Sequence, residues 1–278
     1  MSIREFGIYL NKTSSKNTAV AYTSKVALLF DTLGVKGEIT QEIIDAYFNS
    51  HQLKITSQAG FVAAARKYNK FIGADALINT VKPVYDFAKQ KALEENPLDF
   101  NVIKKYLASN YKESRLRLRD KALIYFMYYA GLRVSEVSDL SWDDVQGDFL
   151  CVRAKKSIER FVFINTLLMG AINEYKRSLD YENPYVFASF RKGREGEMLT
   201  YGAARYIIGL ILKECGYESQ SSHVFRYLFI TNLFKNGAYI SGIKRVSGHS
   251  NYGDLDHYYI GERTADEAVA MVDGVRWK

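Results

Sequence analysis

Several side chains in the second half of the chain have the chemistry needed to act on a phosphate ester. A guanidinium pairs bidentately with phosphate oxygens and stays charged, a histidine exchanges protons near neutral pH, and a phenol is a nucleophile once deprotonated. Residues of these types in this half include Arg133, His223, Arg226, His249 and Tyr258, the last being one tyrosine among 21. If the fold brings them together, they suit metal-independent attack by a tyrosine on a phosphodiester.

Each short segment that carries these residues also has an ordinary structural explanation. Residues 131–136, with the sequence G-L-R-V-S-E, are typical of the end of one helix and the start of the next. His223 and Arg226 are three residues apart on a predicted helix, where a capped helix with a partly buried histidine is the simpler interpretation. Lysines at a hairpin turn, such as Lys155 and Lys156, are usually solvated. One segment alone therefore decides nothing.

The order and spacing of these segments together resemble the catalytic domain of the tyrosine recombinases, the family of phage integrases and Xer-type resolvases. The G-L-R-x-S-E box is followed by a basic hairpin at residues 154–160 and by an H-x-x-R box at residues 223–226. The G-H-S segment places its histidine 23 residues after Arg226, and a tyrosine follows nine residues after that histidine. The resemblance covers the second half of the chain and, more weakly, the first, where an S-x-x-T-x-x-x-Y start is matched by Ser15, Thr18 and Tyr22.

The resemblance implies a role for each of these side chains. Arg133 and Arg226 would neutralise the pentavalent phosphate of the transition state. Tyr258 would attack the scissile phosphate and form a 3′-phosphotyrosine, while His223 would accept the phenol proton. His249 would hydrogen-bond the phosphate or the transition state.

Two further residues complete the implied site, and two assignments, that of the lysine and that of the tyrosine, each have an alternative one residue away. Lys155 would protonate the leaving 5′ oxygen, with Lys156 as the alternative, because the hairpin lacks the family's usual glycines. Glu136 would orient the histidine and arginine side chains. The count of nine residues favours Tyr258 over the adjacent Tyr259.

The chain departs from the family's pattern at two other positions. Tyr227 stands where the second box often ends in a histidine, and Ser247 replaces the apolar leucine that precedes the G-H pair. Neither position is expected to take part in the chemistry.

The elements that must position these residues indicate an α+β fold that is mainly helical. A polar stretch at residues 94–97 predicts a linker between a first domain, residues 1–95, and a second, residues 96–278. The first is expected to be a helical, SAM-like core-binding domain that contacts DNA. The second is expected to be a mixed α/β catalytic domain with a small antiparallel sheet. The resemblance implies that its last helix, predicted at residues 265–272, docks on a neighbouring subunit; packing on its own domain is the alternative.

Hydrophobic periodicity and capping residues predict where the other helices and strands lie. In the first domain, helices are predicted to start at Ser14 or Ser15, after Thr40, and at Thr56 or Ser57. A further helix is predicted from Ala74 to Lys91, interrupted or restarted near Pro83. In the second, they are predicted around residues 103–107, 123–130, 203–213, 222–235 and 240–246. Two runs rich in aliphatic and aromatic residues, 149–153 and 160–164, predict a β-hairpin with a six-residue turn.

Four basic residues of the first domain are near one another in the sequence: Lys54, Arg66, Lys67 and Lys70. Together with Lys156 they are predicted to bind the DNA backbone. A solvated basic face is the alternative.

Composition narrows the class of protein. The chain has 278 residues, a net charge of +7 and 47% hydrophobic residues, which indicates folded domains and is compatible with a polyanionic partner. Two distant cysteines do not suggest a disulfide scaffold or a metal site, and they fit a reducing cytoplasm. The apolar runs are too short to span a membrane, so no membrane association is expected.

The resemblance implies a site-specific recombinase that cuts and rejoins double-stranded DNA through a Holliday junction. It implies no cofactor and no metal, and a homo-tetramer on DNA that is a monomer or dimer when free. Two alternatives remain: a type IB topoisomerase-like enzyme that relaxes DNA, and a non-catalytic DNA-binding protein with the same fold. The choice between a mobile-element integrase and a resolvase of chromosome or plasmid dimers also stays open.

Overall fold

The computed structural model describes residues 2–34, 36–79, 97–109, 114–154, 157–180, 182–249, 251–253 and 255. The chain divides into two compact units, Met1–Glu95 and Asn96–Lys278. Within the described ranges, no helix is long and apolar enough to cross a lipid bilayer.

The described part of the first unit is helical. Its helices are α1 (Ile3–Thr13), α2 (Lys16–Leu33), α3 (Gln41–Ser50) and α4 (Ile55–Ile72). Their apolar faces bury a core that includes Phe6 and Tyr68, whose rings meet edge to face at 5.2 Å. The edge of one ring thus meets the face of the other, an arrangement that aromatic pairs favour.

The boundaries in the first unit confirm some sequence predictions and correct others. The Ser15 side chain caps α2, and Gly34 ends that helix with a left-handed φ of 64°. Helix α4 begins at Ile55, slightly before the predicted Thr56 or Ser57; its N-cap is Lys54, whose main-chain carbonyl accepts from Gln58 and whose side chain makes no capping hydrogen bond. The helix predicted from Ala74 is wrong for residues 74–79, which form no helix, and its remainder lies outside the described residues.

The second unit contains helices and a three-stranded sheet. Its helices are α5 (Phe100–Ala108), α6 (Ser114–Tyr129), α7 (Val134–Ser138), α8 (Thr166–Arg177), α9 (Tyr201–Glu214), α10 (His223–Lys235) and α11 (Ile240–Ser247), with a 3-10 turn at Trp142–Asp144. Its strands are β1 (Val145–Gln146), β2 (Phe149–Ala154) and β3 (Ser157–Phe163). The predicted fold class, mainly helical with a small antiparallel sheet, is confirmed.

The sheet has the order β1-β2-β3, and both pairs of strands are antiparallel. The predicted six-residue turn of the hairpin is wrong, since β2 continues to Ala154 and β3 begins at Ser157. Side chains alternate between the two faces of a strand, so Arg160 lies on the buried face, where its register partner is Val152. The opposite face exposes aromatic rings: Phe149, Phe161 and Phe163.

Helix α6 is the central element of the second unit and packs against α8 and α10. Its core side chain Phe126 meets Phe187 edge to face at 5.7 Å, and Phe187 stacks on Tyr175 of α8 at 5.8 Å. These buried contacts fix the C-terminal end of α6, where the first predicted catalytic segment begins.

Candidate active site

The G-L-R-V-S-E segment forms the turn between α6 and α7. Gly131 has a left-handed φ of 63°, and a Cβ there would lie 2.2 Å from the ring of Phe229. A residue with a side chain would therefore suffer both backbone strain and a clash. Arg133 follows as the N-cap of α7, so its position is set by the turn.

Glu136 connects two guanidinium groups. Its Oε1 accepts a hydrogen bond from Nη1 of Arg133 at 3.0 Å, and its Oε2 accepts one from the Arg133 main-chain N–H at 2.8 Å. Arg160 of β3 adds a two-pronged ion pair, with Nη1 and Nη2 each 2.9 Å from a carboxylate oxygen. Glu136 is 8% exposed and Arg160 is 4% exposed. Glu136 therefore directly contacts Arg133, an arginine that it is predicted to orient.

The environment of Glu136 shifts its pKa. Burial alone would raise the pKa of this carboxyl, but the hydrogen bonds and charge of Arg160, with the main-chain N–H and charge of Arg133, outweigh burial and lower it to about 2. A carboxyl whose folded-state pKa lies below its unfolded value of 4.5 stabilises the fold fully above pH 4.5. That stabilisation is lost as the pH falls toward 2.

We expect Glu136→Gln to remove this acid-sensitive component of stability. Between pH 4.5 and pH 2, the free energy of unfolding of the wild type should fall by about 3 kcal/mol more than that of the variant. Urea titrations at several pH values measure it, and tryptophan fluorescence reports on the second unit because both tryptophans belong to residues 96–278. The exposed Glu218→Gln variant should follow the wild type. Equal acid sensitivity of wild type and Glu136→Gln would contradict the low pKa.

Arg160 also belongs to this site, although the sequence analysis gave it no role. Besides Glu136, it binds the carbonyl oxygen of Val246 through Nε at 2.9 Å. It also fills the space beside Gly248, where a Cβ would lie 3.0 Å from Nη1. Arg160 therefore ties the α6–α7 turn to the end of α11. A signal was present in the sequence: Arg160 is two residues before the apolar Val162 on a predicted strand, so both side chains point to the same, buried face. A buried arginine requires a carboxylate partner.

Arg226 links the H-x-x-R segment to the two other segments. It lies in the first turns of α10 and is only 3% exposed. Its Nη1 donates to the carbonyl of Gly131 at 2.6 Å, and its Nη2 donates to the carbonyl of Ser247. The Nη2 atom also lies 3.5 Å from Nε2 of His249. The two main-chain oxygens, one before and one after Arg226 in the sequence, thus fix the orientation of its planar guanidinium group.

The two histidines differ in their surroundings. His249 follows the left-handed Gly248 that ends α11, is partly buried, and has its Nδ1 2.7 Å from the hydroxyl of Ser247. His223 is exposed at the first position of α10, one helical turn before Arg226. It therefore lies at the solvent-facing end of the same helix.

The predicted site residues are accordingly brought together only in part. Shared contacts join Arg133 to Glu136 and Arg226 to His249. Arg160 joins Glu136 to the carbonyl of Val246, three residues before His249. Lys155, Lys156, Tyr258 and Tyr259 lie outside the described residues, as does the predicted helix at 265–272. Tyr227, which stands where the family often has a histidine, is partly buried on α10.

The predicted basic cluster of the first unit is divided in the structure. Arg66, Lys67 and Lys70 lie in the last turns of α4, whereas Lys54 caps its other end, about 24 Å from Lys70 at the helical rise per residue. Arg66 donates to the carbonyl of Ile78, and the Lys67 ammonium lies 5.7 Å from the ring centre of Tyr9. Lys54 is therefore separated along α4 from the other three, and DNA binding by the four residues stays a prediction.

Comparisons with known proteins show the family. Residues 97–264 match the phage integrase family. The tyrosine recombinase XerC of Leptospira interrogans is 27% identical over 271 residues, covering 90% of this chain and 84% of that protein. The tyrosine recombinase XerA of Pyrococcus horikoshii is 27% identical over 265 residues, covering 92% of this chain and 87% of that protein.

A solved structure shows the same fold. The Tn1549 transposon integrase, in complex with transposon right end DNA, superposes with a TM-score of 0.70 at 16% identity, covering 98% of this chain and 99% of that one. The family match extends over more than half of the chain and includes the segments of Arg133, Arg226 and His249. The chain therefore belongs to the phage integrase family, the tyrosine recombinases.

Proposed function

We propose that this protein is a site-specific DNA recombinase that cleaves and rejoins duplex DNA through a covalent tyrosine intermediate. The observation that carries the proposal is the position of Arg226, which bonds the turn before Arg133 and lies beside His249. Three motifs that are far apart in the sequence thus meet around one guanidinium. Family membership adds the reaction type.

The arginines are the groups that bind and neutralise the phosphate. Phosphoryl transfer adds negative charge to the non-bridging oxygens, and positioned guanidinium groups stabilise that charge. Arg133, whose side chain is 34% exposed, is accessible from solvent, and Arg226 forms the buried end of the site. Glu136 and Arg160 keep the α6–α7 turn in place without taking part in the chemistry.

The proton and bond balance follows from the remaining residues. The Tyr258 oxygen attacks the scissile phosphorus and its proton passes to His223, while the bond from phosphorus to the 5′ oxygen breaks. Lys155 supplies a proton to that leaving oxygen, and His249 hydrogen-bonds the phosphate. The 5′ hydroxyl of a partner duplex then attacks the phosphotyrosine and gives its proton to Lys155. The bond from phosphorus to the Tyr258 oxygen breaks, and that oxygen takes back its proton from His223, which restores the phenol. The energy of the phosphodiester is retained, so the cycle consumes no nucleotide.

The two units would divide the work of binding. The first unit, residues 1–95, is proposed to contact the DNA backbone through Arg66, Lys67 and Lys70, and the second to perform catalysis. Such contacts make affinity fall steeply with salt. We further propose that four subunits assemble on two DNA sites, as exchange between duplexes requires four active sites.

A covalent trap tests the proposed function. The recombination site is first selected from a random pool of duplexes, and a nicked version of it is then incubated with the protein. We expect a covalent adduct in which fragmentation of the DNA-linked peptide identifies Tyr258. An adduct on Tyr259 would shift the register by one, and no adduct on any tyrosine would contradict the proposal.

Two functional assays distinguish the alternatives. A recombinase joins two copies of the selected site on separate duplexes, whereas a type IB topoisomerase relaxes a supercoiled plasmid that lacks the site. We expect strand exchange between sites and no relaxation of the plasmid without a site. Relaxation of the plasmid without strand exchange between sites would instead show that the protein is a topoisomerase.

A further inference from the structure

Ser247 is a residue of the second unit that departs from the family's pattern and contacts a predicted catalytic side chain. It ends α11, is 0% exposed, and its carbonyl accepts a hydrogen bond from Arg226. Its hydroxyl lies 2.7 Å from Nδ1 of His249 and 3.4 Å from the carbonyl oxygen of Lys244. An apolar leucine at this position would offer the histidine no such partner.

The contacts of His249 with the described residues favour one arrangement of protons. A guanidinium only donates, so Arg226 Nη2, 3.5 Å from Nε2, favours an unprotonated Nε2. The ring proton of neutral His249 is then on Nδ1 and is donated to the Ser247 oxygen. The Ser247 hydroxyl in turn donates to the Lys244 carbonyl at 3.4 Å, which also accepts from the main-chain N–H groups of Gly248 and His249. With the proton on Nε2 instead, two N–H groups would face each other.

We infer that Ser247 is a positioning residue that keeps the proton of His249 on Nδ1 and directs Nε2 toward Arg226. In terms of the proposed function, on which this catalytic consequence rests, Nε2 is then the nitrogen that meets a phosphate held by Arg226. If the ring takes up a second proton, Nε2 donates to the phosphate while Nδ1 still donates to Ser247. The Ser247 oxygen accepts from Nδ1 whether the ring is neutral or doubly protonated, so the imidazole ring does not have to rotate when it takes up the second proton.

Nuclear magnetic resonance of the imidazole nitrogens tests the tautomer in the protein without DNA. The chain has only four histidines, and a His249→Gln variant identifies the signals of His249. We expect a protonated Nδ1 and an unprotonated Nε2 in the wild type, and loss of this preference in Ser247→Ala. A wild-type ring protonated on Nε2, or an unchanged tautomer in Ser247→Ala, would overturn the inference.

Cleavage of the nicked recombination site tests the consequence for the reaction. Loss of one orienting hydrogen bond should slow single-turnover cleavage by Ser247→Ala about tenfold and leave DNA affinity unchanged. Ser247→Thr, which keeps a hydroxyl, should recover most of the rate. Ser138→Ala is the matched control, since Ser138 is also a buried serine but bonds only the main-chain oxygen of Val134 among the described contacts.

The two assays separate this inference from the proposed function. Normal cleavage by Ser247→Ala despite an altered tautomer would overturn the positioning role. If the wild type cleaves no DNA but shows the serine-dependent tautomer, the proposed function fails while the assignment of the His249 proton is supported. Thermal unfolding of each variant checks that the fold is retained.

Discussion

Arg226→Lys is expected to slow DNA strand cleavage by about 10²- to 10³-fold while leaving DNA affinity nearly unchanged. Lysine keeps the positive charge, so the many phosphate contacts that set affinity remain. It lacks the planar fork, however, and cannot bond the carbonyls of Gly131 and Ser247 from two nitrogen atoms as Arg226 does. The charge would remain near the phosphate without the geometry that the transition state requires.

Single-turnover cleavage of the nicked recombination site and a binding titration on the same duplex measure the two effects separately. Arg177→Lys, an exposed exchange of the same type at the end of α8, should change neither quantity. A rate for Arg226→Lys within a few-fold of the wild type would show that charge alone suffices at this position. That result would contradict the prediction that the planar fork of Arg226 is needed to position the phosphate.

Gly131→Ala is expected to lower the free energy of unfolding of the second unit by about 2–5 kcal/mol. One part of the loss comes from the left-handed φ of 63°, which a residue with a Cβ adopts only with strain. The larger part comes from the ring of Phe229, whose nearest atom would be 2.2 Å from the new methyl group. Because the Gly131 carbonyl also accepts from Arg226, any shift that relieves the clash moves the site.

Gly147→Ala is the matched control for this prediction. Gly147 has a similar φ of 59°, but nothing lies within 4 Å of the position of its Cβ. It should therefore lose only the conformational part, about 1 kcal/mol. Urea unfolding followed by tryptophan fluorescence measures both variants. Equal losses in the two variants would show that Phe229 moves aside freely and that the close approach has no energetic cost.

Local signals in the sequence were sufficient for most of the helices that carry the site. Residues 203–213, 222–235 and 240–246 were predicted as helices, and α9, α10 and α11 differ from these ranges by two residues or fewer. In α9 and α11 an apolar stripe at helical spacing coincides with a polar or turn-forming residue at the end. Helix α10 instead has apolar residues around most of its circumference. Local chemistry and tertiary packing thus favour the same element.

The positions of the site residues could be predicted only through their spacing. Nothing local to Arg226 indicates that its partners are the carbonyls of Gly131, 95 residues earlier, and Ser247, 21 residues later. Such partners are main-chain atoms, which have no residue type and leave no pattern in the sequence. The same applies to the bond from Arg160 to Val246.

Other elements were missed although a signal was present. Helix α1 begins with a capping box in which Ser2 and Glu5 bond each other's main-chain N–H groups. Strand β1 has only two residues, Val145 and Gln146, so period-2 alternation cannot reveal it. Its pairing with β2 depends on the sheet already being formed.

The long sequence separations around Arg226 also determine when the protein can become active during its synthesis. The hydrogen bond to Gly131 closes a loop of 95 residues, and the contact with His249 needs a further 23. Chain that is still inside the ribosome cannot make these contacts, and non-local pairing is slow to form even afterwards. A nascent chain that already exposes the first unit therefore carries basic side chains but no assembled phosphate site. In terms of the proposed function, an incomplete chain that lacks Ser247 and His249 therefore cleaves no DNA.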